Sequence, residues 1–226
     1  MRLFLIILRP LLMLLALSAS GHVHGWDITR ILQQSTELHD PDRAARKRLH
    51  AWKSLLEEQQ HADVETQLRA VNSFFNAQLV FADDSLIWGQ SDYWATPVES
   101  LINGAADCED FTIAKYFSLL RLGVPDEQLR LTYVKSQTLD QAHMVLSYYP
   151  TPLGEPLVLD NLVRQILPAT QRSDLLPVYS FNSQGLWLPG EADDRPVGSS
   201  RKLPKWQELA RKMRDEGFDK PIRTTQ

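Results

Sequence analysis

The sequence predicts an α+β protein, with helices in its first half and an antiparallel sheet in its second. Two observations carry this expectation. Apolar residues recur at helical spacing from Asp40 to about Leu122. Beyond Pro125 they give way to short runs rich in Val, Leu, Thr and Tyr, separated by turn residues. A third observation makes a folded core reasonable: with 23% charged and 43% hydrophobic residues in 226, the composition is that of an ordinary globular protein.

The chain opens on a segment of different character. Met1 to Leu17 holds Arg2 and Arg9 but no acid, and the apolar stretch Leu11 to Leu17 leads into Ser18, Ala19 and Ser20. That is the pattern of a secretory signal peptide. Arg9 and Pro10 interrupt the run, leaving it short of the roughly 20 residues a spanning helix needs. Residues 1–24 are therefore expected to be removed, by cleavage near 20–24, and residues 25–226 to form a single exported domain. An uncleaved anchor would leave that domain on the same side of the membrane. The formal net charge of −4 becomes more negative once Arg2 and Arg9 are lost. An acidic protein lacks the clustered cations that nucleic-acid phosphates require.

Two helices are expected between Asp40 and Gln78. Ala44, Leu49, Trp52, Leu55 and Leu56 form one stripe, and Val64, Leu68, Val71, Phe74 and Phe75 the next. Asp40-Pro41-Asp42 supplies a start signal. Leu79 to Thr96 reads as an aromatic-rich loop and Val98 to Ile102 as a short helix. A third helix is expected from Cys108 to Leu122, N-capped by Asp107 and closed by Gly123, with Ile113, Tyr116, Phe117 and Leu120 on one face. Strands follow at Leu129–Lys135, Ala142–Tyr149 and Pro156–Asp160, then a hairpin of Val178–Phe181 with Leu186–Leu188. Trp206, Leu209, Ala210 and Met213 mark a final amphipathic helix. Its basic face, with Lys205, Arg211, Lys212 and Arg214, reads as solvated rather than membrane-bound.

Cys108 is the chain's one cysteine. A lone thiol in an exported chain cannot form an internal disulfide, and is a liability unless buried or used. At a helix start, unpaired N–H groups and the helix dipole favour the thiolate. A cysteine nucleophile needs a base, usually His, oriented by a third group. His143 is the one histidine in the strand-rich half. A turn centred between Thr151 and Pro152 pairs His143 directly with Asp160, their Cβ atoms roughly 5 Å apart on one face. A one-residue slip would put them on opposite faces.

Asp107, Glu109 and Asp110 crowd the thiol with negative charge, which disfavours the thiolate. Two offsets are open from spacing. Asp107 at N-cap and Asp110 at N3 can accept N–H groups of the first turn, or the acids can hold a hard cation such as calcium.

Four stretches give a resemblance: Asp92-Tyr93-Trp94-Ala95-Thr96-Pro97-Val98-Glu99, Gly104-Ala105-Ala106-Asp107-Cys108-Glu109-Asp110, Ala142-His143-Met144-Val145 and Val158-Leu159-Asp160-Asn161. Together they resemble the LapG-type periplasmic cysteine proteases of the bacterial transglutaminase-like cysteine proteinase family, over roughly Trp26 to Trp187. The resemblance implies a papain-like, transglutaminase-like fold, with N-terminal helices and a nucleophile helix packed on an antiparallel sheet. It implies a catalytic triad of Cys108, His143 and Asp160, and calcium held with the help of Asp107 and Glu109, which turns the choice of offset toward the cation. It also implies a periplasmic endoprotease that cuts a large cell-surface adhesin near its N-terminus, at a pair of alanines, to release biofilm cells. The implied regulator is an inner-membrane cyclic di-GMP receptor that sequesters the protease through its periplasmic domain.

Family members commonly have Gly where this chain has Ala106, which matters if that position needs positive φ. Trp94 reads as either cleft lining or core. Two other functions fit the same residues: a transamidase that passes the acyl group to an amine, and a non-catalytic binding module on the same fold.

Overall fold

The computed structural model describes residues 26–190 and 195–218. The expected signal peptide lies outside these residues. No helix among them is long and apolar enough to cross a membrane.

Five helices come before the one that begins at Cys108. α1 (Ile28–His39) was not anticipated: it begins on an Asp27 cap and ends at Asp40, whose left-handed φ of 42° stops it. Asp40-Pro41-Asp42 thus closes one helix and opens the next, α2 (Arg43–Glu58), with Asp42 rather than Asp40 accepting the Ala45 N–H. α3 (Val64–Gln78) starts on Asp63 in the same manner. The aromatic-rich stretch contains β1 (Val80–Phe81) and one turn of helix, α4 (Asp84–Ile87). α5 (Pro97–Asn103) opens with a capping box in which Thr96 and Glu99 each take the other's backbone N–H, and Pro97 fills the first helical position.

Gly104 ends α5 at φ 71°. Arg48 of α2 donates to the carbonyls of Leu101 and Ile102 there, each at 2.6 Å. The positive φ favours glycine, and a Cβ there would sit 2.8 Å from the Arg48 guanidinium carbon and push that side chain aside. β2 (Ala105–Ala106) then pairs in parallel with β1 and delivers the chain to α6 (Cys108–Arg121). Ala106 lies in this extended ladder and has no positive φ, so alanine replaces glycine there without backbone strain.

The sheet order is β6 (Leu167–Pro168), β5 (Leu157–Leu159), β4 (Gln141–Tyr148), β3 (Leu129–Ser136), β7 (Leu175–Phe181), β8 (Leu186–Trp187), antiparallel throughout. α6 packs between this sheet, chiefly β4, and the helices α3 and α5. It is therefore buried almost all round, from Asp110 to Leu119, and not on one face only. That enclosure forces polar side chains inside: Thr112, Lys115 and Ser118 are each at most 2% exposed. Ser118 accepts from the Trp52 indole at 2.9 Å.

α7 (Pro204–Asp215) closes the core from outside. Trp206 stacks on Phe117 at 5.8 Å and meets Phe181 edge-on at 5.3 Å. Burying such a ring contributes about 2 kcal/mol or more. The basic residues Arg211 and Arg214 stay exposed, as expected of a solvated face. Lys212 turns inward instead, donating to Trp94 O at 2.7 Å and Glu99 Oε2 at 2.8 Å. Glu216, just past the helix, accepts from the Thr96 hydroxyl at 2.8 Å and meets His39 at 3.2 Å. The last helix is thereby fastened to the chain segment that precedes α5.

Candidate active site

The site begins where β5 stops. β3 borders β4 along its whole length, but β5 pairs only with Leu146 to Tyr148. The other edge of β4 is open from Gln141 to Val145, and the start of α6 docks there. The Thr112 hydroxyl donates to Met144 O at 3.1 Å and to Cys108 O at 2.8 Å. The Met144 N–H is bonded to the Cys108 sulfur. The half-buried thiol is thus held one residue from His143 by main-chain contacts.

His143 Nε2 meets Asp160 Oδ1 at 2.9 Å, with both side chains at most 3% exposed. The ladder is not the expected one. Leu146 pairs with Leu159, so the hairpin centre falls between Pro152 and Leu153, and the register differs by two residues from the anticipated alignment. A shift of two preserves side-chain parity, which is why the contact survives. Asp160 lies just beyond β5, in the loop that leaves it.

That carboxylate has further partners. Oδ1 also accepts the Leu162 N–H at 3.0 Å, and Oδ2 accepts Arg172 Nη2 at 2.7 Å. Burial by itself pushes the Asp160 carboxyl up. The bond and charge of His143, with the Leu162 and Arg172 bonds, outweigh it and hold the group at about 2. Asp160 is therefore ionised across the whole working range.

The acids at the other side of the thiol behave in the opposite way. The Cys108 S–H donates to Glu109 Oε2 at 2.7 Å. Burial, then the charge and bond of Glu109 and the charge of Asp107, raise the thiol far above its ordinary range, and the Met144 N–H offsets little of this. Asp107 accepts Asp110 N as the N-cap, at 3.3 Å. Asp110 does not cap its own helix: its Oδ1 takes the N–H of Ala95 at 2.6 Å. Burial and neighbouring carboxylates raise Asp107, Glu109, Asp110 and Asp84 together.

Two overlapping groups of oxygen ligands result: Asp84 with Asp92 and Glu109, and Asp84 with Asp107 and Asp110, each with ligand atoms within 4.8 Å of one another. Asp84 Oδ1 and Asp110 Oδ2 are buried with no partner. Orphaned buried carboxylate oxygens in an all-oxygen donor set fit a hard divalent cation such as calcium, whose charge would stabilise the ionised forms.

Of the residues singled out in the sequence, His143 meets Asp160 directly, while Cys108 contacts Glu109 and the main chain of Met144, and Asp107 caps the helix that Cys108 begins. Trp94 does not line a cleft: it is buried and stacked on Phe181 at 5.7 Å. The half-buried Tyr133 and Tyr179 stack at 5.2 Å, and burial, with the charges of Glu109 and Asp92, raises both phenols. Sequence reading missed Asp84, Asp92 and Arg172. Asp84 opens the single turn of α4 and Asp92 lies in irregular chain after it, both too local for periodicity to mark a side chain's direction, and Arg172 follows a short 3-10 turn.

Comparison with known proteins agrees with this geometry. A family model described as bacterial transglutaminase-like cysteine proteinase matches residues 45–187. The structure of Legionella pneumophila LapG is 46% identical, covering 82% of this chain and 97% of its own, with a TM-score of 0.72. An EGTA-treated form of LapG gives 0.74 and a calcium-bound form 0.71, at the same identity. No curated protein sequence matches the chain.

Proposed function

Since the chain belongs to the bacterial transglutaminase-like cysteine proteinases, we propose that it is a calcium-dependent cysteine endopeptidase built on Cys108, His143 and Asp160. The observation that carries this reading is the join between Cys108 and β4. It ties the thiol to the main chain of Met144, next in sequence to a histidine whose Nε2 is already held by a buried, ionised aspartate.

Each residue then has a task. With Nε2 engaged by Asp160, the His143 Nδ1 is the nitrogen that takes the thiol proton. The sulfur of Cys108 attacks the peptide carbonyl carbon, and the carbonyl oxygen gains the charge. The free N–H groups at the start of α6, that of Cys108 first, face this oxyanion. His143 returns its proton to the departing amine. Water, deprotonated by His143, then attacks the thioester, releasing the acid and restoring the thiol.

Asp107 and Glu109, with Asp84, Asp92 and Asp110, are the residues that would hold calcium. When bound, the ion supplies positive charge against the carboxylates that suppress the thiolate. The calcium-bound LapG structure supports this choice of cation.

The family resemblance supports the further reading: a periplasmic enzyme, exported by residues 1–24, that cuts the N-terminal region of a large surface adhesin at a di-alanine site and so releases biofilm cells. Its regulator in this reading is the periplasmic domain of an inner-membrane cyclic di-GMP receptor. The test is mass spectrometry of adhesin fragments incubated with the mature chain, with calcium or a chelator, beside Cys108→Ala. New free termini that require both calcium and Cys108 support proteolysis. Incorporation of a labelled primary amine in their place would mark a transamidase, and intact fragments in every arm would sink the protease reading.

A further inference from the structure

Asp160 has no strand to hold it. It follows the last residue of β5, so no ladder bond fixes its backbone, and the proposed chemistry needs its Oδ1 to stay on His143. Part of the support comes from α3, where Asn76 Nδ2 donates to Asp160 O at 2.8 Å and Asn72 Nδ2 donates to Arg164 O at 2.9 Å. These bonds hold the loop, while the carboxylate is held at Oδ1 alone by His143 and the Leu162 N–H.

Arg172 holds the other oxygen. Its Nη2 holds Asp160 Oδ2 at 2.7 Å, and its side chain is 3% exposed. The guanidinium is itself clamped, Nε to Asp174 Oδ1 at 2.9 Å and Nη2 to Asp174 Oδ2 at 2.8 Å. Asp174 directly precedes β7, whose register with β3 is set by the sheet. The line of support therefore runs from the sheet through Asp174 and Arg172 to Asp160 and His143.

Resting on the triad reading above, we propose that Arg172 is a positioning residue of the His143–Asp160 pair: it fixes the second oxygen of the carboxylate and shares the charge on which His143 rests. A guanidinium suits this because it is always charged and offers donors in a rigid fork. An unshared buried aspartate would hold the imidazolium more tightly and make His143 slower to give up its proton. Sharing the carboxylate keeps His143 oriented and still able to release it.

The other charged groups around the pair are few. Lys115 reaches toward Asp160 from α6, Cys108 and Glu109 lie at the start of that helix, and Asp174 stands behind Arg172. Of these, Arg172 and Asp174 can be altered without touching the nucleophile or the acids beside it.

The experiment needs no substrate, so it stands apart from any failure of the protease reading. In the mature chain carrying Cys108→Ser, with calcium present, the His143 imidazole is titrated by NMR and assigned with His143→Gln. Arg172→Gln keeps a donor for Asp160 Oδ2 but removes the charge, and should raise the His143 midpoint by about one pH unit. Arg172→Lys keeps the charge and should return the midpoint toward that of the parent. Asp174→Asn should move it the opposite way, because Arg172 then acts on Asp160 alone. An unchanged midpoint in folded Arg172→Gln overturns the proposal, as does a shift in Arg172→Lys as large as that in Arg172→Gln. If Arg172→Gln does not fold, an unchanged midpoint in Asp174→Asn overturns it.

Discussion

His143 and Asp160 meet at 2.9 Å although Asp160 stands one residue past the last ladder pair of β5. The contact thus needs loop anchors as well as the side-chain parity that the β4–β5 register sets. Cys108→Ala and His143→Ala should each abolish peptide cleavage while leaving the melting transition cooperative. Asp160→Asn should lower kcat by about two to four orders of magnitude, because the amide cannot stabilise an imidazolium. Steady-state kinetics on a cleaved fragment, with circular dichroism of each variant, provides the check. Cleavage within tenfold of wild type by Asp160→Asn would remove it from the triad.

Calcium should raise the thermal stability of the protein at neutral pH. A cation present at a hundred times its Kd contributes about 2.7 kcal/mol. In chelator, the crowded acids Asp84, Asp107, Glu109 and Asp110 have folded pKa values above their unfolded ones. The folded state then binds more protons, so stability without calcium should rise as the pH is lowered from neutral toward 5. Scanning calorimetry across that range, with calcium and with chelator, tests both statements. Asp107→Ala with Glu109→Ala should lose the calcium-induced rise, and retention of that rise would clear these two acids of ligand duty.

Asp160 has the opposite linkage. Its folded pKa of about 2 lies below the ordinary 3.8, so its ionised form stabilises the fold fully above about pH 4. That stability is lost as the pH falls through 3.8 toward 2, and its size is about 2 kcal/mol. Urea denaturation of wild type and Asp160→Asn between pH 5 and 2 should converge by that amount at the acid end. Parallel curves would contradict the low pKa.

Lys115 is fully enclosed, and burial draws it down to about 7 despite the pull of Asp160. Below that pH the folded protein must hold a buried ammonium, whereas the unfolded chain hydrates it. Stability should therefore increase between pH 7 and 10, where only the unfolded state keeps this proton. Lys115→Met, similar in length, should stabilise the protein by about 2 kcal/mol at pH 6 and by less at pH 9. Urea midpoints at the two pH values decide it, and equal gains at both would refute the buried-cation account.

Much of this was legible in the sequence because the signals were local. The start signal Asp40-Pro41-Asp42 and the cap at Asp107 mark helix starts by short-range hydrogen bonds, and strand alternation records which face meets the core. The His143–Asp160 contact was foreseen through an incorrect register, since parity is the one property that a two-residue shift preserves. The inward turn of Asp110 toward Ala95, the approach of Asp84 and Asp92, and the Arg172 clamp all depend on where distant segments pack. No spacing rule reports such packing. The enclosed character of α6 was hidden for a related reason: Thr112, Lys115 and Ser118 look like a solvated stripe until α3 and the sheet close over them.

The fastening of α7 has a consequence for the order in which the protein is made. Cys108, His143 and Asp160 leave the ribosome well before Lys212 and Glu216, the residues that grip Trp94, Glu99 and Thr96. The same short segment presents Ala95 to Asp110 and Tyr93 N–H to Asp84. Translation thus delivers Cys108 early and the contacts that fasten the segment beside its acidic neighbours late, so that segment gains its grip only once α7 has been released.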